Sequence, residues 1–232
     1  MPLIAHSLGV MDLNDVYTLL NFYINKSQGG WYSPEELTMI VDRAQRTLFN
    51  TYYTKYQTSQ RLDDALAPFK LLLSFSNALG VISVPGDYYD MLSITTTVTD
   101  ADDITTMRPV EVVTDDELAY RTLSQIDPPS LFSPVAVRIT NHGWQLYPKV
   151  QHFGNIIYLK QPRSPVFAYS LVSGRVIVYD PLLSTQLEWN DKDILSIILI
   201  ALNGLGINLS EADILQWSEM KTQQNLTGVP KA

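Results

Sequence analysis

The chain has 232 residues, 46% of them hydrophobic and 17% charged, and no cysteine. That is enough for one large domain or two small ones, and it excludes disulfides, thiolate metal sites and cysteine nucleophiles. Lys and Arg number 16 against 24 Asp and Glu, a net charge of −8 with a pI near 4.8, which argues against a broad nucleic-acid-coating surface because phosphates are neutralised by Lys and Arg.

The first residues, Met1 to Val10, carry no basic stretch and only interrupted apolar character, so no secretory signal is expected. Asp12 or Asn14 caps a first helix in which Val16, Leu19, Leu20, Tyr23 and Ile24 fall on one face. Gly29 and Gly30 end it. Ser33-Pro34-Glu35-Glu36 then combines a capping hydroxyl, a proline at the first helical position and a Glu three residues after the cap. Leu37, Ile40, Val41, Ala44 and Leu48 supply the buried stripe of this second helix, which continues through Tyr52, Tyr53 and Tyr56. Two readings of these tyrosines stand open: packing against neighbouring helices, or a subunit interface using large rings with polar tips. A short helix is expected over 60–67, ended by Pro68.

The period then changes to that of strands, expected at 69–75, 81–84, 91–98 and 108–113. Asp100-Ala-Asp-Asp103 is read as a turn, and Thr114-Asp-Asp-Glu117 as a capping box opening a short helix. Pro128, Pro129 and Pro134 mark an exposed loop. Further strands are expected at 135–140, 144–147, 156–160, 167–171 and 176–179, the last two joined by a hairpin at Ser173-Gly174. Asn190 caps a helix apolar almost all round, whose core at 194–202 is much shorter than the roughly 20 residues a membrane span needs. Ser210 and Asp213 open a last helix. The fold class is therefore α+β: a helical bundle from residues 1–67 and 190–232, and a central antiparallel β-rich lobe with one short helix at 68–189.

No catalytic constellation emerges. His6, His142 and His152 form no metal-binding pair, and no phosphate loop, nucleophile elbow or dinucleotide fingerprint occurs. Asp100, Asp102 and Asp103 resemble the start of a calcium loop but lack its glycine and its distal bidentate Glu. A solvated turn is the plainer reading, and a metal-dependent enzyme or binding module built on this loop is the alternative. Asp115, Asp116 and Glu117 are explained by the helix dipole.

The order of features carries a resemblance. The helical pair is followed by Val84-Pro-Gly-Asp-Tyr-Tyr-Asp90, Arg108-Pro-Val-Glu-Val-Val113, Trp144-Gln-Leu-Tyr-Pro148, Ile156-Ile-Tyr-Leu-Lys-Gln-Pro162 and Leu187-Glu-Trp-Asn-Asp191. A C-terminal helix pair with Leu205-Gly-Ile-Asn-Leu-Ser210 closes the series. Over residues 13–217 it resembles the neck or ring proteins of tailed bacteriophages, particularly crAss-like phages, and is more distantly similar to podovirus head–tail adaptor and tail tubular proteins. The resemblance implies a non-enzymatic virion protein, assembled in the host cytoplasm without cofactor or metal. It implies a ring, commonly a dodecamer, stacked with the portal and other neck rings around a channel through which DNA passes during ejection. A closed ring needs two different contact patches per subunit, for which Tyr52, Tyr53, Tyr56, Pro128, Pro129 and Pro134 are the candidates. An acidic lumen lets DNA slide without sticking, and Asp100, Asp102 and Asp103 are candidates to line it.

Overall fold

A computed structural model describes residues 11–27, 30, 32–55, 64–99, 102–140, 143–172 and 176–207. The fold is α+β, and the chain divides into two compact units. The first comprises the segments up to Pro68 and from Pro162 onward; the second is Phe69–Gln161. The sequence placed the lobe boundary at residue 189; the compact β unit ends at Gln161, so residues 162–189 belong with the helices.

In the first unit, α1 (Leu13–Lys26) is capped by Asp12, whose carboxylate accepts from the Asp15 N–H at 2.7 Å, and it buries the expected stripe. It ends on Ser27, whose N–H reaches the Tyr23 carbonyl. Helix α2 (Pro34–Lys55) begins with a reciprocal box: Ser33 N–H donates to Glu36 Oε2 at 2.8 Å, and Glu36 N–H to Ser33 Oγ at 3.2 Å. Its stripe of Leu37, Val41, Ala44, Leu48 and Phe49 is buried. The later helix Asp191–Gly204 buries Ile194, Ile197, Ile198, Ala201 and Leu202 and packs on α1 and α2. Asn190 stands at its cap position but makes no side-chain cap bond. A two-stranded antiparallel hairpin completes the unit; its strands, Tyr169–Val172 and Val176–Tyr179, pair Tyr169 with Tyr179 and Leu171 with Ile177. Phe167 anchors it, with its ring 4.6 Å from Tyr17 of α1 and 4.8 Å from Tyr179. The expected helix at 60–67 is described only at its end, and the expected last helix after Ser210 and the turn at Ser173-Gly174 lie outside the described residues.

The second unit is two four-stranded sheets. In chain order its strands are β1 (Lys70–Asn77), β2 (Val81–Ser83), β3 (Tyr88–Thr99), β4 (Thr105–Pro109), β5 (Glu111–Val112), β6 (Val135–Thr140), β7 (Gly143–Tyr147) and β8 (His152–Lys160), with helix α3 (Asp115–Leu123) between β5 and β6. One sheet runs β1-β8-β3-β4, antiparallel throughout; the other runs β2-β7-β6-β5. Ile94 and Ile156 of the first meet Ile82, Ala136, Trp144 and Leu146 of the second in a shared core. The strand expected at 108–113 is two strands in different sheets. Pro109 has no N–H to extend the β4 ladder, Val110 donates to Ile94 O and is buried, and Glu111-Val112 cross to pair with β6. That pairing is parallel, so the lobe is mixed and not wholly antiparallel. The Tyr147–Pro148 peptide is cis. Among the described residues no helix is long and apolar enough to cross a membrane.

Candidate functional site

The tyrosine stretch on α2 divides by side. Tyr52 is engaged within its own unit: its hydroxyl donates to Asp193 Oδ1 at 2.9 Å, and its ring meets Trp189 edge-on with centroids 6.0 Å apart. The same tryptophan packs edge-on against Phe49, and its Nε1–H donates to the buried Gln45 Oε1 at 3.3 Å. Spacings of four and three residues along α2 aim Gln45, Phe49 and Tyr52 at Trp189 and the first turn of the last helix. Tyr52 is therefore a bundle residue in place of a subunit-contact residue. Tyr53, about 100° round the helix, is half-buried, and Tyr56 lies outside the described residues.

The proline loop leads to a larger feature. Helix α3 is capped by Thr114, whose Oγ1 accepts from Glu117 N–H at 3.3 Å, and among the described helices of eight residues or more it is the one with no buried side chain. Leu118 of this helix packs, with Tyr147 of β7, against the small core of Val113, Val135 and Val137. Tyr120 and Leu123 share the opposite side, with Leu123 83% exposed, and Ile126 just beyond is 96% exposed. Arg121 holds this platform in place through Glu111 at 2.8 Å, Glu117 at 3.5 Å and Asp127 at 3.9 Å. The loop is closed by reciprocal bonds between Ser130 and Ser133, both 3.2 Å, and Arg108 stands 5.7 Å over the exposed Phe132 ring. Pro128 is exposed and Pro129 half-exposed at its rim. Pro134 is buried and its carbonyl accepts from Glu111 N–H, so it has no side-chain surface to offer a neighbour.

A second apolar patch belongs to the helical unit. The hairpin exposes Leu171, Val172, Val176 and Val178, and Leu182, 92% exposed, and Leu183 follow it. Among the described residues neither strand of this ribbon pairs with a further one, the position at which proteins must either blunt a strand or pair it. Sequence reasoning passed over both patches, because isolated apolar residues in loops are ordinary. The readable signal was the run Val176-Ile-Val-Tyr179 with no charge on it.

Asp102 and Asp103 lie exposed at the tip between β3 and β4, Asp103 with φ of 60° in the left-handed region that Asp tolerates. Asp100 lies outside the described residues. Among the described residues no group of three or more His, Asp and Glu is arranged to hold a metal ion. His152 is buried, with Nε2 2.8 Å from the Pro148 carbonyl oxygen, a structural position behind the cis proline. His142 and His6 lie outside the described residues. No protein-family model matches the chain, and no curated protein matches it either.

Proposed function

We propose that this chain is a structural subunit of a tailed-bacteriophage neck, forming an oligomeric ring next to the portal that helps to build the DNA conduit. The observation that supports this best is a pair of separate apolar patches: Tyr120, Leu123 and Ile126 in the β unit, and the hairpin with Leu182 and Leu183 in the helical unit. A ring closes through a heterologous contact in which one patch meets a different one on the next subunit. Exposed apolar patches of this kind mark protein–protein contacts. The net charge of −8 suits a conduit that DNA passes without adhering, since each neutralised phosphate would add affinity. The resemblance of the order of sequence features to that of phage ring proteins supports the same reading.

The test is negative-stain microscopy and light scattering of the full chain, alone and with portal protein. Rings of one copy number are expected, and Ile126→Asp should abolish them while leaving the thermal melt unchanged. Tyr53→Ala should weaken them as well, at about 2 kcal/mol per joint if the half-buried ring lies at the contact. A chain that stays monomeric at every concentration, and forms no ring with portal protein, would overturn the assignment.

A further inference from the structure

The outer face of the β1-β8-β3-β4 sheet is a third surface, and it differs in kind from the two apolar patches. Strand register puts Leu72 opposite Ile157, and it puts Phe153 opposite Thr97, which in turn faces Met107. Leu72 is 64% exposed, Met107 60% and Phe153 51%. Their inward neighbours, Ile94, Thr96, Val98, Ile156 and Tyr158, are buried, as period-2 alternation requires. Among the described residues, no outward position in 72–76, 93–99, 105–109 or 153–157 carries a charge.

That composition is unusual for a face meant for water. A soluble surface carries about 25–35% charged residues, and loss of charge is the compositional mark of an interface centre. The polar groups on this face are turned toward one another. Ser74 Oγ donates to Asn155 Oδ1 at 2.8 Å, Thr95 Oγ1 donates to Asn155 O at 3.4 Å, and the Thr99 and Thr105 hydroxyls lie 3.2 Å apart. Groups already bonded along the sheet lose less when water is removed than open ones do.

We propose that this face binds a second copy of this chain, sheet against sheet. Charge selects that partner. Each copy carries −8, so most approaches set carboxylates against carboxylates, and a neutral face is where two copies meet without like-charge opposition. Size agrees. Four strands spaced about 4.8 Å apart, over five to seven residues each, cover about 20 Å by 20 Å. Exposed Ile104 extends the patch at the hairpin end. Two such footprints come to about 800 Å² of flat area before Ile104 and the relief of the side chains are added, close to the roughly 1,000 Å² floor for a specific association, so the pair dissociates on dilution. Thr95 and Asn155 lie at the centre, where the two-fold axis of an isologous contact would pass.

The inference holds or fails apart from the connector reading, because the surfaces argued for the ring lie elsewhere. The absence of native cysteine makes a single introduced thiol a clean reporter. In the full chain, Thr95→Cys should be joined into a covalent pair by a short bismaleimide. Light scattering of the wild type should show a mass that rises with concentration. Phe153→Glu and Leu72→Glu, both on exposed positions, should weaken self-association about tenfold or more with unchanged thermal melts. Ile126→Asp should leave the cross-link intact, and a cross-linked pair without rings would keep this inference while the connector reading fell. A wild type that is monomeric throughout, or an oligomer indifferent to both Glu variants and giving no Thr95→Cys pair, would overturn it.

Discussion

Gly154 lies in the middle of β8, where an added Cβ would come 2.0 Å from the Thr95 carbonyl oxygen of β3 and 2.9 Å from the Phe75 ring of β1. The Thr95 backbone cannot retreat without breaking the β3–β8 ladder, so Gly154→Ala should destabilise by about 3 kcal/mol, the upper range for overpacking. The measurement is the midpoint of urea unfolding. Gln45 makes a similar point with polarity in place of volume. It is fully buried, its amide donates to Asp42 Oδ1 and to the Arg163 carbonyl, both at 2.8 Å, and its oxygen accepts from Trp189. Gln45→Leu fills the space but takes away the bonds that Gln45 gives the indole N–H and the Arg163 carbonyl, a loss of about 2 kcal/mol, which a thermal melt will show as a lowered midpoint. In the sequence Gln45 reads as one more polar residue between Ala44 and Arg46. Of its three partners only Asp42 is near in sequence; Arg163 and Trp189 lie more than a hundred positions away, so no local pattern could reveal its burial.

At the scale of elements, what was legible is what is local. The box at Ser33 and Glu36 needs only three residues of spacing, and its two bonds are both made. Ser33→Ala should therefore remove about 1 kcal/mol from the first unit; a change near zero in urea melts would mean that Glu36 alone holds the helix start. Where strands were misread, the reason is pairing. The first half of β8, His152-Phe-Gly-Asn155, has turn-type composition, yet it is held in a sheet by β1 on one side and β3 on the other. The change of sheet at Val110 also depends on partners, Ile94 behind and Ala136 ahead, that the sequence does not bring near. The stretches 169–172 and 176–179 read as strands by their β-branched and aromatic residues. The membership of their hairpin in the helical unit follows from Phe167 against Tyr17 and from the Tyr169 hydroxyl donating to Glu35 Oε1 of α2 at 2.7 Å.

For the molecule as a whole, the candidate surfaces were only partly legible, because a contact patch is a property of exposure and register, whereas the proline loop announces itself by composition. Protonation behaviour is likewise a property of the folded whole. Burial pushes the phenols of Tyr88 and Tyr158 above their ordinary value of 10.0, and the two rings stack with centroids 5.8 Å apart in the β unit. The hydrogen bond to Glu35 raises Tyr169 in the helical unit, and the same bond lowers Glu35 below 4.5. A raised phenol stabilises the fold fully below pH 10; above it the unfolded chain ionises first, so stability falls as pH rises toward the folded values. The lowered Glu35 acts at the other end, adding stability above pH 4.5 that is lost as pH falls through its folded value. Unfolding free energy from urea melts should accordingly stay level with respect to these groups between about pH 5 and 10 and decline beyond both limits. Tyr88→Phe removes one raised phenol without removing its ring, so the alkaline decline should become shallower while the acid limb is unchanged. Tyr169→Phe should flatten both limbs together, because it deletes the donor that lowers Glu35 as well as the phenol that Glu35 raises. An acid limb that survives Tyr169→Phe untouched would show that other carboxylates, and not the α2–hairpin bond, govern it.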